Sequence, residues 1–429
     1  MVNLISSLCG KISPLSIDEY RDYRGFESLK KVLYDMSPDE VIKVIKDSNL
    51  KGRGGAAFPT GLKWQLVLSE KAEEKYVLCN ADEGEPGTFK DKVLLEGCPF
   101  QILEGMIIAG YATGAHMGYI YIRGEYPASR GTMDRAIAIL RAEGYLGENI
   151  LGQNFNFDIA LRSGAGAYVC GEETALIESI EGKDGKSRFK PPYPPTEGLW
   201  GKPTVVNNVE TLANIPLIIS IGAEEFKKYG TPSSSGTKLI CVSGNVTGKG
   251  VYEVEFGTSI REIVYDICGG IENNKKLKFV QLGGSSGICL PPEMIDTKLD
   301  FDELKKIDAG LGSGALIVFD DSNCIVDFEK NTMEFFKKES CGKCTPCREG
   351  NRHIESILSR LSEGEGRPGD IELLRSISMV MCEASMCGLG QAAPTSIIST
   401  LKYFPEEYEE HLKGCCRAGV CNLRKGAVV

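Results

Sequence analysis

Residues Tyr76–Lys92 read YVLCNADEGEPGTFKDK, an apolar run from Tyr76 to Cys79 that opens into a loop carrying Asp82, Glu83 and Glu85. A short apolar run bounded by Gly, Asn and Pro suits a buried strand, and in α/β folds ligands gather beyond the carboxyl ends of strands. Three close carboxylates repel one another unless something uses them. They can hydrogen-bond ribose or ribityl hydroxyls or bind a metal; the plain alternative is a solvated acidic turn. Outward from this segment, as far as residue 230, β-rich runs such as Gly118 to Arg123 alternate with helix-like stretches such as Met133 to Arg141 and Thr174 to Ile180. That alternation is an α/β pattern.

The 429 residues, 42% apolar and 25% charged, describe a globular chain of two to four domains. The longest apolar stretch, Leu212 to Ala223, contains Asn214 and Pro216 and is too short for a membrane span. The first residues, MVNLISSLCGKISPLS, lack the pattern of a secretory signal, so a cytoplasmic location is expected. The net charge of -10, with scattered basic residues, argues against a nucleic-acid partner. In that compartment the 16 cysteines are expected as thiols or metal ligands, not disulfides. Glycine, at 50 of 429, is about 12% against a typical ~7%. Its concentration in short loops suggests backbone that approaches a phosphate-bearing cofactor closely.

The serine-rich break at Gly230 to Lys238 is the best linker candidate. Beyond it, Leu239 to Val246, Gly250 to Glu255, Ser259 to Cys268 and Phe279 to Gly283 read strand, strand, helix, strand. From Ile325 the pattern turns helical, with Ile354, Ile357, Leu358 and Leu361 on one face and GEGRPG at Gly364 to Gly369 as a breaker.

Four further segments carry chemistry. GRGGAAFPTGLKW, Gly52 to Trp64, offers four glycines with Arg53 and Lys63, bare amides and two cations suited to a phosphate, or else a flexible turn. GAGAYVCGEETALIESIEG places Glu172 and Glu173 at a helix start, where carboxylates also simply complement the dipole. KPPYPPTEGLWGKPTVVNNVET, Lys190 to Thr211, adds Tyr193 and the amide pair Asn207 and Asn208, which can donate to and accept from a heteroaromatic ring. In SCGKCTPCREG, Cys341, Cys344 and Cys347 have two residues between each, with Cys387 distant in SMCGLG. Three thiolates at that spacing and a fourth from elsewhere suit a 4Fe–4S cluster, with zinc the main rival.

The end of the chain, GCCRAGVC, contributes Cys416 and Cys421. With Cys382 and His411 they form the preferred set for a structural zinc, against unligated thiols in a tail. Cys324 and the other single cysteines read as buried inert thiols. His116 and His353 read as bystanders.

Taken together and in this order, these motifs resemble the flavin-bearing, NADH-oxidising 51 kDa subunit of respiratory complex I and its relatives in NAD-dependent hydrogenases, transhydrogenases and formate dehydrogenases, over Leu50 to Cys421. The resemblance implies FMN held by Gly52, Arg53, Gly54, Lys63, Asn80, Asp82, Glu83, Tyr168, Gly171, Glu172, Asn207, Asn208 and Thr211. It implies NAD(H) with its adenine between Phe58 and Tyr193, Lys190 and Glu173 near it, and Glu85 beside the nicotinamide; Glu85 and Glu173 are the candidate catalytic residues. It implies one 4Fe–4S cluster on Cys341, Cys344, Cys347 and Cys387. A carboxylate by the adenosine ribose would disfavour a 2′-phosphate, so NADH is expected over NADPH.

The implied architecture is a Rossmann-like α/β FMN domain at 1–236, a ubiquitin-like, soluble-ligand-binding β-grasp domain at 237–323 and an α-helical bundle with the cluster at 324–404. A tail with the zinc ligands follows at 405–429. Leu66 stands where some complex I members carry a third aromatic. Neither the N-terminal 2Fe–2S domain nor the C-terminal two-cluster ferredoxin domain of fused relatives is expected from these residues, while CRAGVC looks like the start of a hydrogenase-type connection. The expected partners are a thioredoxin-like 2Fe–2S subunit and a larger iron–sulfur or catalytic subunit, in a soluble, electron-bifurcating assembly. The alternatives are a complex I subunit and a scaffold that holds clusters without turnover.

Overall fold

The computed structural model describes residues 2–423; the last six residues of the predicted tail lie outside them. Strands β1 (Tyr76–Ala81), β2 (Met117–Ile122), β3 (Asp158–Ser163) and β4 (Thr204–Asn208) form an all-parallel sheet in the order β3-β2-β1-β4. Side chains alternate across β1 as the pleat requires. Val77, Cys79 and Ala81 enter a large core that also holds the apolar helices Pro99–Thr113 and Val209–Ile221. Tyr76 and Leu78 enter a smaller one with Tyr119, Leu176 and Ile177 on the opposite face. Both faces are covered, as a parallel sheet demands.

A second sheet joins β5 (Thr237–Gly244), β6 (Gly250–Glu255), β7 (Leu277–Leu282), β8 (Ile288–Leu290) and β9 (Ala315–Asp320) in the order β6-β5-β9-β7-β8. Only β5 and β9 run parallel. The strands read from the sequence are present, and β8 and β9 add to them. Helices Ile325–Glu339, Thr345–Ser362, Asp370–Ala384, Gly388–Ala392, Thr395–Tyr403 and Pro405–Leu412 follow and share one core, in which Ile354, Ile357, Leu358 and Leu361 are buried as their spacing predicts.

The predicted linker is not a loose tether. Ser234 and Ser235 are buried, the Ser233 hydroxyl donates to Asp300 at 2.6 Å and the Phe301 amide donates to Ser234 Oγ at 3.0 Å. The two sheets also share a seam. Glu253 on β6, itself buried, accepts from the amides of Leu4, Ile5 and Ser6 and from the hydroxyls of Ser6 and Thr237 at 2.6 to 3.1 Å. Among the described residues no single helix is long and apolar enough to cross a membrane. The bent pair Lys90–Gly97 and Pro99–Thr113 approaches that composition because its second helix lies in the core.

Candidate active site

After β1 the chain builds β2 and β3 to one side, then returns to lay β4 on the other, so β1 and β4 meet at the point where the strand order reverses. In an open parallel sheet this crevice, beyond the carboxyl ends of the strands, is where ligands bind. A cavity of about 460 Å³ lies there. Asn80, Asp82, Glu83 and Glu85 line it from the β1 loop, Asn208 from the end of β4, Tyr168, Gly171 and Glu172 from the segment after β3, and Gly54 from the glycine loop. The second sheet adds Gly283, Ser286 and Gly312, and the helical region adds Gly388 and Leu389.

The polar side chains of this wall hold one another in place. Asn80 donates to the Gly171 carbonyl at 2.8 Å and accepts from the Asp82 amide at 3.1 Å. Glu83 accepts from the amides of Asp91 and Lys92, at 2.9 and 3.2 Å, and so caps helix Lys90–Gly97. Glu85 accepts from the Tyr168 phenol and from Ser286. Burial pushes its carboxyl upward against those hydrogen bonds. Burial also pushes Asp82 up to about 7, with Arg123 opposing and Glu125 and Glu339 adding to the rise. Asp82 Oδ2 is buried with no partner among the described residues, an acceptor waiting for a donor from a ligand.

These observations fit FMN. The volume suits a cofactor, Asp82 supplies a spare acceptor, and amides and carboxylates suit a polyol chain and a heteroaromatic ring. Gly54 lets backbone reach the site, since a Cβ there would lie 2.9 Å from Asn208 Cβ.

Several expected contacts stand behind the wall instead. Arg53 is not a phosphate-facing cation. Its guanidinium is buried in the seam, bonded to the carbonyls of Lys51 and Ser235 at 3.1 and 2.7 Å and stacked over Phe256 at 4.6 Å. Thr211 accepts from the Arg53 amide at 2.9 Å, Asn207 accepts from the Trp64 indole at 2.8 Å, and Gly52 donates to the Phe58 carbonyl at 2.9 Å. These residues shape the glycine loop. Lys63, Glu173, Lys190 and Glu172 form a chain of alternating charge with N–O distances of 3.6, 2.7 and 2.8 Å. Glu172 also caps helix Glu173–Ile180 through the amides of Thr174 and Ala175. Beside this chain Phe58 and Tyr193 remain 41% and 56% exposed, open to stacking.

Sequence reasoning missed Lys90. It lines the cavity, is fully buried, and pairs with Asp91 and Glu210 at 2.6 and 2.9 Å. Glu210 also binds Lys238 across the seam. Burial alone would raise the Glu210 carboxyl, yet Lys238 and Lys90 hold it below its ordinary value.

Cys341, Cys344 and Cys347 lie where helix Ile325–Glu339 gives way to helix Thr345–Ser362, and Cys387 precedes helix Gly388–Ala392. Burial raises the Cys347 thiol to about 11; Ser340 opposes the rise, and Cys344, Cys387 and Cys341 add to it. Cys341, Cys344 and Cys387 thus lie near enough to act on Cys347, a grouping that suits a 4Fe–4S cluster. The cavity wall runs directly into this site, because Gly388 and Leu389 follow Cys387 and because the Tyr168 amide donates to Glu339 at 3.0 Å.

A second cluster corrects the expected zinc set. Cys324, His411, Cys416 and Cys421 bring their ligand atoms within 4.8 Å of one another, and Cys382 is not among them. Cys324 precedes helix Ile325–Glu339, which packs against helix Pro405–Leu412, and this brings it to 3.4 Å from His411 Nε2. Cys382 instead sits half-buried on helix Asp370–Ala384. Cys324, read as inert, is thus the fourth member. Hydrogen bonding from Cys421 and His411 draws its thiol well below the usual range and raises Cys421 in return. Against burial, the Cys324 contact lifts His411 to about 9.

Comparison with known proteins agrees with this geometry. Residues 45–217 match the Nuo51 FMN-binding domain and residues 327–411 the NADH-ubiquinone oxidoreductase-F iron-sulfur binding region. The HndC component of the NADP-reducing hydrogenase of Solidesulfovibrio fructosivorans is 48% identical over 96% of this chain and 84% of its own. The chain belongs to the Nuo51 family. Another relative, a component of the NADH-quinone oxidoreductase of Escherichia coli, is 44% identical over 93% of this chain and 90% of its own. The NAD+-reducing [NiFe]-hydrogenase in its H2-reduced state superimposes with a TM-score of 0.81 at 37% identity, over 96% of this chain and 67% of that one. Both Nuo51-family regions overlap the two sites described here, the cavity beyond β1 and the four-cysteine site.

Proposed function

We infer that this chain is the NADH-oxidising subunit of a multisubunit oxidoreductase, binding FMN in the cavity beyond β1 and β4 and a 4Fe–4S cluster on Cys341, Cys344, Cys347 and Cys387. The observation that carries the reading is the continuity of the two sites: Leu389 lines the cavity two residues after Cys387. Bound FMN would supply a hydride acceptor for the nicotinamide and a one-electron donor for the cluster, while the protein's own residues position and tune it. Asn80, Asp82 and Asn208 orient the ring and its polyol chain. Glu85, held by Tyr168 and Ser286, faces the nicotinamide side, and Lys63, Glu173 and Lys190 steer the adenosine half between Phe58 and Tyr193. Glu173 disfavours a 2′-phosphate and selects NADH.

The same reading names the units as a Rossmann-like domain at 1–236, a β-grasp domain at 237–323, a helical cluster domain at 324–404 and a metal-binding tail from 405. It assigns zinc to Cys324, His411, Cys416 and Cys421, where His411 Nδ1 meets the Glu407 carbonyl at 2.6 Å, the outer contact that orients a ligating imidazole. Its partners are a 2Fe–2S subunit and a larger catalytic subunit, in a cytoplasmic and electron-bifurcating complex. Anaerobic addition of NADH to the purified, FMN-loaded protein tests the reading. Flavin bleaching and reduction of a one-electron dye support it, and bound flavin that NADH leaves oxidised sinks it.

A further inference from the structure

Asn351 is completely buried in helix Thr345–Ser362, one turn after Cys347, and its Oδ1 has no partner among the described residues. A buried amide with an idle oxygen costs stability compared with an apolar side chain of the same size, so the position calls for an explanation. Its Nδ2 supplies one, donating to Cys347 Sγ at 3.4 Å. A second group meets the same sulfur. Ser340 Oγ lies 3.1 Å from Cys347 Sγ, and it already accepts from the Gly342 amide at 3.3 Å, which leaves the hydroxyl hydrogen to point at the sulfur. Gly390 closes this pocket from the other side, since a Cβ there would lie 2.8 Å from Cys347 Cβ.

We propose that Ser340 and Asn351 are potential-setting residues, which donate two hydrogen bonds to the Cys347 ligand and raise the reduction potential of the 4Fe–4S cluster. The inference rests on the reading that Cys347 ligates that cluster. On reduction one electron enters the cluster, no bond breaks and no proton moves, so the added negative charge falls on iron and on the sulfurs. Donors aimed at a ligand sulfur stabilise that charge, and hydrogen bonds to the sulfurs are among the levers that set such potentials. The arrangement makes the cluster a better acceptor for electrons arriving from the cavity side, and it concentrates the effect on the one ligand of the CxxCxxC run that is buried.

The test is a dye-mediated redox titration of the whole cofactor-loaded protein, read by the EPR signal of the reduced cluster, in the wild type and in Ser340→Ala, Ser340→Thr, Asn351→Leu and the Ala/Leu double variant. Each removal is expected to lower the ratio of reduced to oxidised cluster at a fixed potential by about tenfold, which is 59 mV for a one-electron couple. The double variant is expected to move further, and Ser340→Thr, which keeps the hydroxyl, to stay near the wild type. Unchanged midpoints in variants with full iron content overturn the inference. Should the variants lose iron, the wild type alone decides it: with 15N in the asparagine side chains and exchange into D2O, a 15N coupling and an exchangeable hydroxyl proton coupled to the reduced cluster are expected, and their absence overturns it. A wild type that holds no iron overturns the underlying ligand assignment instead.

Discussion

Ser286, on the loop between β7 and β8, donates to the Glu85 carboxylate from both its amide and its hydroxyl, at 3.0 and 3.3 Å. The second sheet therefore fixes an acid that belongs to the first, and Tyr168 donates to the same carboxylate. Replacement Glu85→Gln keeps the size of the side chain but gives Tyr168 and Ser286 a neutral acceptor. The rate of flavin bleaching by NADH is expected to fall by about 10²-fold or more, the scale of a lost positioning contact, with FMN content unchanged. Stopped-flow absorbance checks this, and a wild-type bleaching rate would dissociate Glu85 from the nicotinamide side.

Glu173 sits between Lys63 and Lys190. Removing its charge in Glu173→Gln is expected to narrow the preference for NADH over NADPH by about tenfold, roughly 1.4 kcal/mol. The ratio of kcat/KM for the two nucleotides measures it; a ratio that does not move removes Glu173 from the specificity role.

Glu210 is shared by two buried lysines. Glu210→Gln removes one of the two carboxylates paired with Lys90 and strips Lys238 of its carboxylate, so a loss of about 3–5 kcal/mol is expected in urea unfolding, the cost of breaking a buried pair on one side. Lys90 lines the cavity, and weaker retention of FMN on dialysis should accompany the loss.

Glu329 is buried beneath the hydroxyls of Ser396 and Thr400, and burial raises its carboxyl to about 8 against the pull of those hydrogen bonds. A free glutamate titrates near ~4.3. The folded protein thus keeps a proton that the unfolded chain releases, and this group's contribution to stability is fully present below pH ~4 and declines as pH rises to about 8. Glu329→Gln abolishes that decline. Little difference from the wild type is expected at pH 5, and a relative gain on the order of a few kcal/mol at pH 9. Parallel melting curves at the two pH values decide.

For the thiol and imidazole cluster, elemental analysis is expected to find about one zinc per chain, lost in Cys324→Ser and retained in Cys382→Ser. A strong chelator should lower the melting temperature of the wild type and leave Cys324→Ser unmoved, because a metal that binds only the folded form adds to its stability. Zinc retained without Cys324 would refute the assignment.

What could be read from sequence was what repeats or clusters locally. The apolar run from Tyr76 and the i, i+3, i+4, i+7 series at Ile354 announce a buried strand and a helix face, and cysteines three residues apart announce a cluster by themselves. β9, ALIVFD, is absent from the strands read in the sequence, and a short apolar run of this kind has no period to separate strand from helix. Cys324 was unreadable for another reason: its partner His411 lies 87 residues on, and a lone cysteine carries no sign of what it meets. Arg53 misled because glycines beside a cation look the same in sequence whether the cation faces a phosphate or turns into a seam.

Glu253 gives that seam a further meaning. Its carboxylate gathers amides from the first residues of the chain onto the edge of the second sheet, so the two sheets are laced together at the periphery as well as at Arg53 and Lys238. Heating should then melt them as a single cooperative block, with one calorimetric peak shared by both. An alteration confined to β6 is then expected to loosen a bound flavin, although among the described residues that line the cavity none belongs to that strand.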